Sequence, residues 1–210
     1  MKLINREISE YTESFTSEES KTLKELVQVS ERELEYTDML SGPQVGMLLK
    51  MLVQISGAKR ILEIGTFTGY SAIWMADALS EDGTLITLEM NERYRDISRQ
   101  FFEQEEYKTK IKQKMGNALE VIPALSGFFD LIFLDADKIS YPTYYEMLKP
   151  KLKIGGLFVV DNVLWGGEVL RPSDVKSRAI HKLNKMIRDD NDVDQVMIPV
   201  RDGITIVRKK

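Results

Sequence analysis

Hydrophobic residues follow two different patterns along the 210-residue chain. Over residues 1–57, apolar side chains recur at intervals of three or four, which is the spacing of amphipathic helices. The segment Ser41-Gly42-Pro43 interrupts this pattern, and proline suits the first position of a second helix. The first helix is predicted to begin at a capping box of Thr16 and Glu19, and the second is predicted to end at Gly57.

From Arg60 onward, short apolar runs alternate with helical segments. The runs that predict strands are Arg60–Ile64, Thr84–Glu89, Ile111–Met115, Asp130–Leu134, Leu157–Val160, Asp194–Pro199 and Ile204–Arg208. Helices are predicted between them at Tyr70–Leu79, Asn91–Gln104, Ala118–Leu125, Tyr141–Lys149 and Asp174–Asp189. Strands separated by helices indicate βαβ units and a mainly parallel sheet.

The link between the last two apolar runs is too short for a parallel crossover. Only a few residues around Val200–Gly203 separate these runs, so they should form an antiparallel hairpin. The sequence therefore predicts an α/β fold with a Rossmann-like, doubly wound sheet of seven strands, of which six are parallel and the last is antiparallel. We expect one domain over residues 1–210, with a helical cap at 1–57 and a core at 58–210.

Composition excludes several kinds of active site. The chain has no cysteine, which excludes disulfides, cysteine-bound zinc, iron–sulfur clusters and thiol nucleophiles. His181 is the one histidine, so a site built from several histidines is excluded. Its side chain is expected at the surface. A net charge of −4 and an isoelectric point near 5.3 make nucleic acid a disfavoured partner. Without a signal-like N-terminal segment or an apolar run of about 18 residues, the chain is expected to be cytoplasmic and not to enter a membrane.

A glycine-containing loop follows the first predicted strand. Gly65 and Gly69 lie between that strand and the next helix, where doubly wound sheets bind ligands. Glycine would let the backbone approach a ligand closely, although a plain tight turn would use the same residues. The spacing is not the G-x-G-x-x-G of dinucleotide sites, and Glu63 suits a cationic amino-acid ligand better than a pyrophosphate. Glu89, which ends the second strand, is either an acceptor for ribose hydroxyls or a solvated carboxylate. Together these features predict a nucleoside-binding site.

Polar side chains also end the fourth and fifth predicted strands. Asp135 follows the fourth strand, and Asp161 and Asn162 follow the fifth. Adjacent parallel strands would bring these oxygens together, and such a set suits a hard cation such as Mg²⁺ or Ca²⁺. The alternative is that each acid caps the next helix or loop.

Lys138 and Trp165 lie close to these acids in the sequence. A lysine beside a divalent cation and a nucleoside pocket can act as a base, although a surface position is the open alternative. Trp165 is either a flat platform for an aromatic substrate or an anchor that packs its loop. Tyr144 and Tyr145 are interpreted as helix packing.

The chain resembles the cation-dependent class I O-methyltransferases, which include catechol and caffeoyl-CoA O-methyltransferases. The resemblance covers about residues 36–170 and rests on the order and spacing of Met39–Ser41, Glu63–Ser71, Leu88-Glu89, Gly116–Ala118, Leu134–Lys138 and Asp161–Trp165. The pattern Asp-x-x-Lys followed by Asp-Asn is its most specific part.

This resemblance implies S-adenosylmethionine as the cofactor and Mg²⁺, or else Mn²⁺ or Ca²⁺, as the metal. The residues implied to line the cofactor are Met39, Ser41, Glu63, Gly65, Thr66, Ser71, Glu89, Asn117, Ala118, Asp135 and Asp137. Asp135, Asp161 and Asn162 would bind the metal. Lys138 would act as the catalytic base beside Asp135, and it would contact the substrate together with Trp165. A homodimer is implied as well.

The implied reaction is methyl transfer to one of two vicinal hydroxyls on a small phenolic acceptor of catechol or caffeoyl type. A tRNA methyltransferase acting on 5-hydroxyuridine is the alternative within the family, so tRNA is not excluded as a partner. Outside the family, the alternatives are a ligand-binding protein on the same fold and a nicotinamide-dependent dehydrogenase. The intact motif residues argue against the first of these, and the glycine spacing argues against the second.

Overall fold

Three α-helices precede the first strand in the computed structural model, which describes residues 5–37 and 39–210. They are α1 (Arg6–Ser14), α2 (Lys21–Glu33) and α3 (Gly42–Ser56). Gly57 ends α3 in a left-handed conformation with φ 63°, as predicted. The predicted capping box of Thr16 and Glu19 is wrong. Helix α2 begins about one turn later, because the Ser20 hydroxyl accepts a hydrogen bond from the backbone N–H of Leu23.

Seven strands form one sheet in the order β3-β2-β1-β4-β5-β7-β6. They are β1 (Arg60–Ile64), β2 (Thr84–Glu89), β3 (Ile111–Met115), β4 (Phe129–Leu134), β5 (Leu152–Asp161), β6 (Val193–Ile198) and β7 (Ile204–Lys209). Strand β7 runs antiparallel to β5 and β6, and the other neighbouring strands are parallel. The predicted Rossmann-like sheet with an antiparallel last strand is confirmed.

Strand β5 begins earlier than its predicted start at Leu157. Its pairing with β4 shifts register between Phe129 and Leu131, and Gly155 within the shifted segment has φ 79°. The glycines at 155 and 156 therefore form a bulge inside one strand, which extends it before the predicted run.

Five helices cover the two faces of the sheet: α4 (Tyr70–Ala76), α5 (Glu92–Phe102), α6 (Ala118–Ala124), α7 (Tyr141–Leu148) and α8 (Val175–Arg188). Short 3₁₀ segments lie at Lys138–Ser140, Lys149–Lys151 and Trp165–Leu170. Successive strand residues point to opposite faces, so Ile61 packs in the apolar layer with α3 to α5, and Leu62 packs in the layer with α6 to α8. Burial on both faces explains why the central strands are almost continuously hydrophobic. Within the described ranges, no helix has both the length and the apolar character needed to cross a membrane.

The order of the strands reverses between β1 and β4. The chain moves outward from β1 to β2 and β3, and then begins β4 on the other side of β1. The loops that leave the carboxyl ends of β1 and β4 therefore diverge, and doubly wound proteins bind ligands in the crevice between such loops.

Candidate active site

A cleft of about 660 Å³ opens at this crevice, along the carboxyl ends of β1, β2, β4 and β5. All the residues assigned to the site from the sequence line it, except Glu63 and Asn117. The cleft also takes in residues from α8 and from the turn between β6 and β7, which were not assigned to it.

Gly65 is needed for packing within the protein. Its φ is 99°, and a Cβ at this position would collide with the carbonyl oxygen of Asp135. The backbone N–H of Asp135 donates to the carbonyl of Ile64 at 2.9 Å, which binds the two strand-end loops together. The close approach to the neighbouring loop is thus one reason for glycine here, and the expected approach to a ligand stays a prediction.

Glu63 is fully buried beneath this loop and does not line the cleft. Its carboxylate accepts hydrogen bonds from the hydroxyls of Ser71 and Thr87, each at 2.5 Å. Burial raises the pKa of Glu63 to about 8; the two hydroxyls oppose this rise, and the charges of nearby carboxylates add to it. Glu63 therefore carries a proton near neutral pH unless positive charge comes close.

Glu89 lies at the carboxyl end of β2 with its carboxylate at the wall of the cleft. One oxygen accepts from the backbone N–H of Phe67 at 2.8 Å, and the other accepts from the N–H groups of Met90 and Asn91 at 2.9 and 2.8 Å. The residue is only 8% exposed. This is a fixed, largely desolvated carboxylate, which can still accept further hydrogen bonds through its remaining lone pairs.

The other residues assigned to the cofactor differ in whether they border the cleft. Asn117 is exposed, and its side chain accepts from the N–H of Leu119 at 3.0 Å, so it caps α6 while Ala118 lines the cleft. Met39 and Ser41 border the cleft from the segment that leads into α3.

Two carboxylates meet where β4 and β5 end. Asp161 is the last residue of β5 and is 3% exposed, and Asp135 follows β4. Burial raises the pKa of Asp161 to about 7, with an added contribution from the charge of Asp135. Asn162 follows with φ 59°, a left-handed conformation that asparagine tolerates better than most residues.

A divalent cation fits this set of oxygens. The carboxylates of Asp135 and Asp161 disfavour each other's charge inside the protein, and a cation between them would remove that conflict. In the described part of the chain, no group of three or more His, Cys, Asp or Glu residues forms a candidate metal site. The amide oxygen of Asn162, which lines the same cleft, is a candidate third protein ligand, and water and substrate would complete the coordination.

Lys138 lies between the acids and a buried tyrosine. Its ammonium nitrogen donates to Asp135 Oδ1 and to the hydroxyl of Tyr141, each at 2.7 Å. The Tyr141 hydroxyl in turn donates to the backbone carbonyl of Asp161 at 3.2 Å. Tyr141 was missed by the sequence reasoning, although the spacing of three from Asp135 to Lys138 and again to Tyr141 could have indicated it.

Asp137 and Tyr144 are paired at the rim of the cleft. Asp137 accepts from the backbone N–H of Ser140 at 3.1 Å and from the Tyr144 hydroxyl at 3.0 Å. Tyr144 is buried as expected for packing, but it also borders the cleft. Tyr145 points elsewhere, with its hydroxyl on Asp190 at 2.8 Å.

The far wall of the cleft is formed around Trp165. Lys176 of α8 lies with its ammonium nitrogen 5.7 Å from the centre of the Trp165 ring. Arg201 and Asp202, from the turn between β6 and β7, also line the cleft, and Arg201 Nη1 donates to the carbonyl of Leu40 at 2.9 Å. The topology could have indicated this turn, because Asp161 at the end of β5 pairs with Ile204 at the start of β7. His181 is half-buried on α8 and lines a different cavity.

Comparison with known proteins places these features in context. A family model described as O-methyltransferase matches residues 13–210. A caffeoyl-CoA O-methyltransferase of Zea mays is 35% identical over 205 residues, which cover 91% of this chain and 79% of that protein. One from Nicotiana tabacum is 34% identical over 205 residues, with 91% and 85% coverage.

Solved structures of O-methyltransferases have the same fold as this chain. The O-methyltransferase TomG of Streptomyces achromogenes, solved in complex with SAM, has a TM-score of 0.89 and 31% identity, covering 97% of this chain and 96% of that chain. An O-methyltransferase of Bacillus cereus, solved in complex with SAH, has a TM-score of 0.88 and 31% identity, with 97% of each chain covered.

Proposed function

The chain belongs to the O-methyltransferase family, and from this premise we propose that this S-adenosylmethionine-dependent enzyme methylates one of two neighbouring hydroxyls on a small phenolic acceptor with the help of a divalent cation. Membership in the family removes the alternatives of a binding protein without activity and of a nicotinamide-dependent dehydrogenase.

The cofactor is assigned to the half of the cleft on β1 and β2, where it would supply a methyl group on a sulfonium. Glu89 supports this assignment, because its fixed carboxylate borders the cleft and has lone-pair capacity left to accept from a ribose hydroxyl. Glu63 lies beneath the glycine loop, and a cationic ligand above it would favour its ionised form. Ser41 and Met39 would cover this half from the segment before α3.

The divalent cation is assigned to Asp135, Asp161 and Asn162, and Mg²⁺ or Mn²⁺ fits their oxygens best. When bound, such an ion supplies Lewis acidity at the strand ends. The burial of Asp161 supports this assignment, because a carboxylate that is 3% exposed beside a second acid is stabilised in its charged form by added positive charge.

Lys138 is assigned to take the proton of the hydroxyl that becomes methylated, for which its nitrogen must be the neutral amine, with two N–H donors and one free lone pair. Contacts at 2.7 Å with Asp135 and Tyr141 hold its nitrogen beside the two carboxylates. Trp165 offers a flat apolar face for the aromatic ring of the acceptor. An acceptor with two adjacent oxygens suits this arrangement, because one oxygen can face Lys138 while the other extends the oxygen set around Asp161.

The meeting of Asp135, Asp161 and Lys138 at two adjacent strand ends, beside the loop of β1, carries this proposal. Their combination is suited to holding a cation and moving a proton in one cleft.

A panel of acceptors tests the proposal. The purified protein is incubated with labelled S-adenosylmethionine, Mg²⁺ and one acceptor: a vicinal diphenol, the matching monophenol, or tRNA carrying 5-hydroxyuridine. We expect one methyl group on one oxygen of the diphenol and little product from the monophenol. Methylation of the tRNA without methylation of any diphenol would replace the small phenolic acceptor with the hydroxyuridine alternative.

A further inference from the structure

The turn between β6 and β7 is fixed to the loop that follows β5. The backbone N–H of Leu164 donates to the carbonyl of Asp202 at 2.9 Å, and that of Val163 donates to the carbonyl of Gly203 at 3.1 Å. The Asp202 carboxylate accepts from the backbone N–H of Gly166 at 2.6 Å. These hydrogen bonds hold the turn at the end of β5, on the side of the cleft assigned to the acceptor.

Arg201 extends from this turn to the segment that precedes α3. Its Nη1 donates to the backbone carbonyl of Leu40 at 2.9 Å. Gly42 begins α3 with φ 78°, and a Cβ at this position would lie 2.0 Å from the same nitrogen of Arg201. The missing side chain at Gly42 therefore leaves the space in which the guanidinium lies.

The segment Met39–Ser41 forms a wall of the cleft beside the start of α3. All its residues line the cleft, and Ser41 is buried whereas Met39 is half exposed. Among the residues that the structure describes, the bond from Arg201 is the only hydrogen bond between this segment and the sheet or its connecting loops. One side chain therefore makes the polar attachment of the segment that would cover the cofactor.

The backbone of Arg201 lies in a region that suits glycine better than arginine. Its φ is 49°, in the left-handed region where a side chain is disfavoured. A residue held in such a conformation at a ligand cleft points to a function for its side chain. The contact with Leu40 is what the arginine side chain supplies here.

We infer that Arg201 is a positioning residue that holds the segment Met39–Ser41 closed over the bound cofactor and so slows its release. This inference rests on the proposed function, because it takes the cofactor to occupy the half of the cleft that the segment covers. The turn provides a fixed base at the end of β5, and the guanidinium links that base to the segment. The link has to open before the spent cofactor leaves, as lids over bound ligands do.

The experiment measures the affinity and the release rate of S-adenosylhomocysteine with no acceptor present. Calorimetry gives Kd, and stopped-flow displacement gives the release rate. The variants Arg201→Asn and Arg201→Gly both remove the guanidinium, and both residue types tolerate φ 49°, so the turn should fold in each. We expect each variant to raise Kd by about threefold to tenfold, the effect of one lost hydrogen bond, with most of the change in the release rate.

A conservative variant and a control accompany these two changes. Arg201→Lys keeps a charged donor on a long side chain, so it should restore part of the lost affinity. Arg178→Gln should bind S-adenosylhomocysteine like the parent, because Arg178 is exposed on α8 and does not line the cleft.

Hydrogen exchange of the complex with S-adenosylhomocysteine separates positioning from a general loss of structure. The amides of residues 39–41 should exchange faster in Arg201→Asn and Arg201→Gly than in the parent protein. The amides of residues 163–166 should exchange as in the parent, because the turn keeps its own bonds to that loop.

An unchanged Kd and release rate in both Arg201→Asn and Arg201→Gly would overturn the inference, as would faster exchange that spreads over residues 163–166 in both. A loss of affinity in Arg201→Gly alone would also overturn it, because the flexibility of glycine would then be the cause. The proposed function fails in a different way. Absence of turnover with every diphenol would count against the proposed acceptor and would leave these binding results as they are.

Discussion

The ammonium nitrogen of Lys138 lies 2.7 Å from the hydroxyl of Tyr141, a fully buried residue. That hydroxyl also donates to the backbone carbonyl of Asp161 at 3.2 Å. One phenol group therefore connects the assigned base to the strand end that carries an assigned metal ligand. Tyr141 contacts Lys138 but does not line the cleft. It is therefore a positioning residue.

Tyr141→Phe should reduce kcat without a comparable change in cofactor affinity. Loss of one hydrogen bond of about 1 kcal/mol to a charged or buried partner corresponds to roughly a fivefold change. Turnover and calorimetric binding of S-adenosylmethionine measure the two effects separately. Tyr145→Phe is the matched control, because its hydroxyl bonds Asp190 away from the cleft. Equal kcat in the parent and Tyr141→Phe would show that Tyr141 does not position Lys138.

Glu89→Ala should weaken cofactor binding by roughly 1.5–3 kcal/mol, because charge-assisted hydrogen bonds to a ribose would be lost. The change also leaves the N–H groups of Phe67, Met90 and Asn91 without their acceptor. Glu89→Gln keeps the volume and one acceptor oxygen, so it should lie between the parent and the alanine variant. Glu92→Gln, at an exposed position on α5, is the control. Calorimetric affinity that does not change in Glu89→Ala would overturn the ribose assignment.

Gly65→Ala should lower the free energy of unfolding by about 1–3 kcal/mol more than Gly166→Ala does. Both glycines have positive φ, but a Cβ at Gly65 would collide with Asp135, whereas a Cβ at Gly166 would meet nothing within 4 Å. The difference between the two variants therefore isolates the collision from the backbone preference. Urea denaturation of both proteins measures it, and equal losses would show that the contact with Asp135 is not the reason for glycine.

The fold could be predicted because the hydrophobic periodicity and the lengths of the connections indicated the same arrangement of strands and helices. The bounds of β1, β2 and β3 match the predicted runs, since glycine follows β1 and β3 and the acidic Glu89 ends β2. The early start of β5 could not be predicted, because a bulge at Gly155 has the composition of a turn. The start of α2 was misplaced because Thr16 and Ser20 can both cap a helix, and Ser20 is the residue that does so.

The site could be predicted where residues follow strands directly and not where folding brings in remote segments. Asp135, Asp161 and Glu89 lie at strand ends, so the sheet determines their meeting. Glu63 belongs to the same pattern, yet its side chain points beneath the loop, because strand alternation and burial decide its direction. Arg201 reaches the cleft only through the return of β7 to the edge of β5, which requires the hairpin register.

Stability of the unliganded protein should depend on pH through Glu63. Its pKa is about 8 in the folded protein and 4.5 when unperturbed, so between these values the folded state binds more protons than the unfolded state. The free energy of unfolding therefore falls as pH rises through this window, by up to about 1.4 kcal/mol per pH unit from this group.

Glu63→Gln removes that titration and keeps one acceptor oxygen, for one of the two hydroxyls of Ser71 and Thr87. The stability of this variant relative to the parent should rise steadily from pH 5 to pH 8 (roughly the window above). Urea denaturation at several pH values measures the difference. A difference that stays constant over this range would show that Glu63 is ionised throughout in the folded protein.

The dependence of turnover on a divalent cation tests the central assignment at Asp135, Asp161 and Asn162 most directly. The measurement is the initial rate of diphenol methylation in protein treated with excess chelator and then titrated with Mg²⁺, for the parent and for Asp161→Asn. We expect no turnover after chelation and saturable recovery with Mg²⁺ in the parent. We expect little recovery in Asp161→Asn, because the buried carboxylate that holds the ion is gone. Full turnover of the parent in excess chelator would contradict the assignment.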